Sequence, residues 1–160
     1  MSWKSFRFAL IAAGAAMLAS CGINSVPTKE EAAKAAWANV ESAYQRRADL
    51  IPNLVSTVRG AAAAEEDTLT GVIEARSRAT SIQLSADDLD DPAKFQQFEA
   101  AQGELGSALS RLMVTVERYP ELQSQQRFGD LMVALEGSEN RIETARVRYN
   151  EAVQDYNTTI

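Results

Sequence analysis

The second half of the chain carries apolar residues at intervals of seven, and that spacing restricts it to long helices packed nearly parallel. Phe98, Leu105, Leu112 and Tyr119 form one series, interleaved with Phe95, Gln102, Leu109 and Val116. Phe128, Leu135, Ile142, Tyr149 and Tyr156 form another, with Leu131, Ser138, Ala145 and Ala152 between them. Each series is a heptad seam, which gathers its members on one helix face and favours crossing angles of about +20°.

Prolines supply the punctuation. Pro27, Pro52, Pro92 and Pro120 each fit the start of a helix, where a missing N–H costs little. Four helices are therefore predicted. The first opens at the capping box Thr28-Lys29-Glu30-Glu31 and runs to about Ala48, with Ala33, Trp37, Val40 and Tyr44 on one face. Asp49 caps the second, which buries Ile51, Val55, Val58, Ala62, Leu69, Val72 and Ala79. The alternative is a single helix kinked at Pro52. An acidic loop from Ser85 leads to Asp91-Pro92, cap and first residue of the third helix. The fourth, about 37 residues, would reach about 55 Å at about 1.5 Å per residue. The expectation is an all-α, elongated up-and-down four-helix bundle over residues 28–160, with a shorter first helix that leaves part of it three helices thick. Gly60 and Gly71, eleven apart, share a face and are read as close-packing positions, since a helical Gly otherwise costs up to about 1 kcal/mol against Ala.

Composition excludes much chemistry. The chain has no His, which removes the commonest general base and metal ligand, and one Cys, which excludes an internal disulfide. No catalytic residue, metal or cofactor is expected. The lone Cys21 ends the stretch Leu18-Ala19-Ser20-Cys21, preceded by Lys4, Arg7 and an apolar run from Phe8 to Leu18. That order is an export signal, and the run spans only about 16 Å against about 30 Å for a bilayer core. The last four residues resemble the lipobox of bacterial lipoproteins, in which the cysteine is acylated and becomes the first mature residue. An ordinary secretory signal or an uncleaved anchor is the alternative. Residues 1–20 thus read as a signal peptide and 21–27 as a tether, attached to a membrane through lipid on Cys21. Gly22, in place of the Asp that retains many such lipoproteins in the inner membrane, points to the outer membrane in a Gram-negative source. Losing Lys4 and Arg7 leaves 14 basic against 22 acidic residues, so the formal charge falls from −6 to −8. Nucleic acid is not an expected partner.

Several polar residues are candidates for a buried network or a contact surface. Glu65 and Arg76 lie on the predicted stripe of the second helix and should find partners across the bundle, among Glu117, Glu136, Glu139, Arg141 or Asn150. Arg46, Arg47 and Asp49 cluster at the predicted corner between the first two helices, either capping it or forming a recognition surface. Glu139, Asn140 and Arg141 complete the set. The acidic runs at Glu65-Glu66-Asp67 and Asp87 to Asp91 lack opposed-carboxylate and EF-hand spacing and read as solvated segments.

Longer motifs run through the same residues. Ala36-Trp37, Tyr44-Gln45-Arg46-Arg47-Ala48-Asp49-Leu50-Ile51-Pro52-Asn53, Glu117-Arg118-Tyr119-Pro120-Glu121-Leu122, Leu135-Glu136-Gly137-Ser138-Glu139-Asn140-Arg141-Ile142 and Tyr149-Asn150-Glu151-Ala152-Val153 closely resemble the LemA family from about residue 32 onward. The resemblance implies a membrane-tethered bacterial helical bundle and supplies no enzymatic activity or ligand. Many members begin with a longer transmembrane helix where this chain has its lipobox. Members commonly continue into a Phe-Pro-containing tail, whereas this chain stops at Ile160, in keeping with a truncated gene or fragment. The functional expectation is a non-enzymatic envelope scaffold or adaptor for another envelope protein. The alternative is a bundle that holds a small apolar or lipid-like ligand.

Overall fold

The heptad residues lie on helices, except Tyr119, which falls in the turn after Val116. The computed structural model describes residues 25–89 and 91–160, with Asp87 as backbone only, so the expectations for the signal and for Cys21 fall outside the described residues. Its elements are α1 (Ser25–Ala61), α2 (Glu66–Ser81), α3 (Pro92–Val116), a single-turn α4 (Pro120–Gln123) and α5 (Gln126–Asn157), with 3₁₀ turns at Ala63–Glu65 and Ala86–Asp88. No strand occurs among the described residues, and the chain is all-α.

Polar contacts fix the directions of the helices. Lys29 pairs with Asp155 and Arg47 with Glu139, so α1 and α5 run antiparallel along their lengths. Arg59 meets Glu66 while Arg76 reaches Ala48, which sets α2 antiparallel to α1. Arg78 meets Glu104 while Glu65 meets Arg118, which sets α3 antiparallel to α2. The seams face inward as their spacing requires: Phe98, Leu105, Leu112, Phe128, Leu135 and Ile142 are buried. Asp91 caps α3 as expected, accepting from Ala93 N at 3.0 Å and Lys94 N at 3.3 Å with Pro92 as first residue.

The core has two parts. One gathers Ile51, Leu54, Val58, Leu69, Leu105 and Leu112. The other is aromatic, built on Trp37, whose ring centre lies 5.5 Å from Phe98 and 5.1 Å from Tyr149. Trp37 also donates its indole N–H to Leu84 O at 2.8 Å, tying the α2–α3 connection to the bundle.

Several expectations are corrected. Pro52 does not start a helix; as the alternative had it, a single helix, α1, runs through it, so Asp49 lies exposed inside α1 and caps nothing. The carbonyl that Pro52 leaves without its usual amide partner is Ala48 O, four residues back, and Arg76 Nε donates to it at 2.7 Å. That bond replaces the missing ladder rung. The first helix is consequently the longest at 37 residues and α2 the short one at 16. It begins at Ser25, placing Thr28 within the helix and not at its cap.

The turn between the first two long helices falls at Ala62–Glu65, which carries no Pro or Gly. Tertiary bonds hold it: Glu65 accepts from Arg118 and Tyr119, and Arg59 pairs with Glu66 across it. Likewise the fourth helix does not start at Pro120. Pro120 opens α4, and α5 begins only at Gln126. Finally, a Cβ added at Gly60 or Gly71 would meet nothing within 4 Å, so neither supports a close helix approach.

Candidate functional site

Two places concentrate the polar residues singled out by sequence. The first is a buried layer between the two parts of the core. Arg47 is 4 % exposed, and its guanidinium donates to Glu139 Oε1 at 3.0 Å, Gln102 Oε1 at 2.7 Å and Gln102 O at 3.2 Å. It also stacks 5.2 Å from the centre of the Tyr44 ring, while its Nε has no hydrogen-bond partner. Gln102 passes the chain on, donating Nε2 to Ala79 O at 3.2 Å. Ser138, on α5, bonds its own helix at Leu135 O. With Arg76 on Ala48 O, the layer takes a residue from each of the four long helices. A polar layer of this kind penalises any slip of one helix past another, because a slipped seam would bury a charge without partners.

The second place is the outer seam between α1 and α5. Arg46, next to Arg47 but turned to solvent, lines a groove of about 690 Å³ with Arg141 and Arg148. Its floor is small: Ala32, Ala36, Ala43 and Ala145 contribute, and no carboxylate lines it. Among the described residues the Arg46 guanidinium hydrogen-bonds only to Ser42 Oγ, at 3.4 Å, and none of Arg46, Arg141 and Arg148 forms an ion pair.

The remaining candidates are scattered. Glu65 sits at one end of the bundle, where Tyr119 Oη donates to it at 2.8 Å and Arg118 at 3.1 Å; holding the phenol proton there raises the Tyr119 pKa above its ordinary value. Glu65 and Arg76 each find a partner from another segment, as expected, but among the described residues neither bonds to Glu117, Glu136, Glu139, Arg141 or Asn150. Asn140 is exposed on α5 beside Glu139. In the acidic loop Asp88 is engaged by Lys94 first and by Ser85, which holds its carboxyl at about 2. Burial alone raises the Glu41 carboxyl, beside Tyr44 and Gln102. Among the described residues no group of His, Cys, Asp or Glu is placed to hold a metal ion, and no helix is long and apolar enough to cross a membrane.

Sequence comparison bears on the same helices. The sequence profile of the LemA family matches residues 36–160, which covers the buried layer and most of the groove. The chain belongs to the LemA family. It is similar to magnetosome protein MamQ 2 of Paramagnetospirillum magneticum, 31 % identical over 153 residues that cover 86 % of this chain and 56 % of that protein. Magnetosome protein MamQ of Magnetospirillum gryphiswaldense is 30 % identical over the same shares. The chain thus spans little more than half the length of the relatives it matches.

Gln102 and Ser138 were not among the sequence candidates, yet they are the polar interruptions of the two heptad seams and mark the layer. Arg148 was also missed. Its signal is a second series of sevens, Ala32, Asn39 and Arg46 on α1 with Arg141 and Arg148 on α5, turned away from the core.

Proposed function

We propose that this LemA family chain is a non-enzymatic adaptor of the bacterial envelope, held at a membrane by lipid on Cys21 and presenting a rigid up-and-down bundle to another envelope protein. The observation that carries it is the α1–α5 groove, a long exposed concavity with three arginines that no carboxylate of the bundle neutralises. The buried Arg47 layer supports it, since it fixes the relative register of the two helices that form the groove walls. Anchoring rests on Leu18-Ala19-Ser20-Cys21 and the apolar run before it. The magnetosome proteins match 86 % of this chain, and their name supplies no partner for it.

A ligand-holding bundle is less favoured. The cavities beside Tyr44 and Phe98 measure about 70 and 90 Å³, room for a few waters at about 30 Å³ each, and the larger one of about 280 Å³ beside Tyr149 and Tyr156 is lined in part by the polar Glu30, Lys34 and Asn157. The test is metabolic labelling with a palmitate analogue, followed by in-cell crosslinking and mass spectrometry, on wild type and Cys21→Ala. The adaptor reading expects label on wild type only and envelope crosslinks that diminish in the variant. Label retained by Cys21→Ala would contradict the anchor, and crosslinks spread evenly over all faces of the bundle would contradict the adaptor.

A further inference from the structure

The groove specifies its occupant more closely than an adaptor role requires. Arg46 and Arg141 stand at one level, because their neighbours Arg47 and Glu139 pair across the antiparallel helices. Arg148 lies seven residues further along α5, a displacement of about 10.5 Å at about 1.5 Å per residue. On α1 the lining runs from Ala32 to Arg46, about 21 Å, or roughly four helical turns. Small side chains on both walls let another backbone approach to the roughly 8–10 Å of packed helices, and the sevens on each wall set a near-parallel crossing.

We propose that this groove docks an acidic amphipathic helix of a partner protein as an added helix of the bundle. One carboxylate meets Arg46 and Arg141, and a second, seven residues away, meets Arg148. The inference rests on the adaptor reading and names its partner's chemistry. Charge complementarity carries it: in a chain of formal charge −6, three arginines without ion pairs share one carboxylate-free groove. A phosphate or lipid headgroup would call for converging cations, whereas here the third stands a helical repeat away from the other two. A second copy docking by the same face would set arginines against arginines. The chain's own first 24 residues, whose charged side chains are Lys4 and Arg7, would do the same.

The test uses the full chain in detergent micelles and a fluorescent, alanine-rich helical peptide of about 21 residues with two Glu seven apart on one face. Companion peptides carry Lys in place of Glu, or the same two Glu on opposite faces. Anisotropy should show binding of the first peptide only, weakening as salt rises. The combined variant Arg46→Glu, Arg141→Glu, Arg148→Glu should lose that binding at least about fivefold, consistent with a few exposed pairs, and should gain the Lys peptide. Circular dichroism melting confirms that the variant is folded. Equal binding of all three peptides, an unaffected variant, competition by phosphatidylglycerol vesicles, or dimerisation that the variant abolishes would each overturn the proposal. If the peptide fails while envelope crosslinks still depend on Cys21, the acidic helix is wrong and the adaptor stands; peptide binding without envelope crosslinks is the reverse.

Discussion

Replacing Arg76 by Met should destabilise the protein more when residue 52 is proline than when it is alanine. Pro52 has no N–H for Ala48 O, and Arg76 Nε occupies that oxygen at 2.7 Å. Ala48 is 3 % exposed, so an acceptor stripped of its donor there costs about 1–3 kcal/mol. Pro52 itself is exposed, so Pro52→Ala gives up little packing, and it restores a backbone donor to the same carbonyl. It should also relieve part of the roughly 3 kcal/mol that an interior helical proline costs. In that background the Arg76→Met loss should shrink to about 1 kcal/mol or less, leaving a coupling of about 1–2 kcal/mol. Urea unfolding followed by far-ultraviolet circular dichroism on the four proteins of the cycle, compared at constant slope, measures it. Additivity within about 0.5 kcal/mol would refute the compensation, because two groups serving one carbonyl cannot act independently.

Other consequences follow from single contacts. Glu139→Gln leaves the buried Arg47 with a weaker partner and should cost about 1–2 kcal/mol, whereas Glu104→Gln, at the exposed pair with Arg78, should cost under about 1 kcal/mol; the same urea series compares them. Gly103→Ala, in the interior of α3 where an added Cβ meets nothing within 4 Å, should raise stability by about 0.4–1 kcal/mol, seen as a higher melting temperature. Asp88 is lowered from 3.8 to about 2 by Lys94 and Ser85, so the stability it adds is present above its unfolded value and is lost as pH falls through about 2. In an acid titration Asp88→Asn should remove that part of the pH dependence, and an unchanged acid limb would contradict it.

The sequence made the helical class and the buried faces legible because heptad spacing survives any choice of turn. Every apolar residue named on the predicted second-helix stripe is buried, and Glu65 and Arg76 on it are half-buried, although the chain reverses at Ala62 in their midst. Turns were legible only where local chemistry decides them. Asp91-Pro92 is such a place, with its cap and its preset backbone angle both inside two residues. Pro52 misled because its local preference for a helix start is overridden by a donor 24 residues away, and nothing within one turn of sequence reveals Arg76. The Ala62–Glu65 turn was hidden for the same reason, being held by Arg118 and Tyr119 from the far end of α3. At the candidate site Arg47 and Glu139 were both named, but their pairing depends on the antiparallel register of α1 and α5. Arg46 and Arg141 were named without their common groove, since only that register brings them level.

The claim that the α1–α5 groove is the working face of the molecule is tested most directly by site-specific photocrosslinking in cells. A photoreactive residue replaces Asn39 in the groove, or Val114, 67 % exposed on α3, as a control. One envelope adduct is expected from position 39 and none from position 114, with loss of that adduct when Arg46, Arg141 and Arg148 are changed to Glu at equal protein level. The same adducts from both positions, or an adduct indifferent to the three arginines, would contradict it.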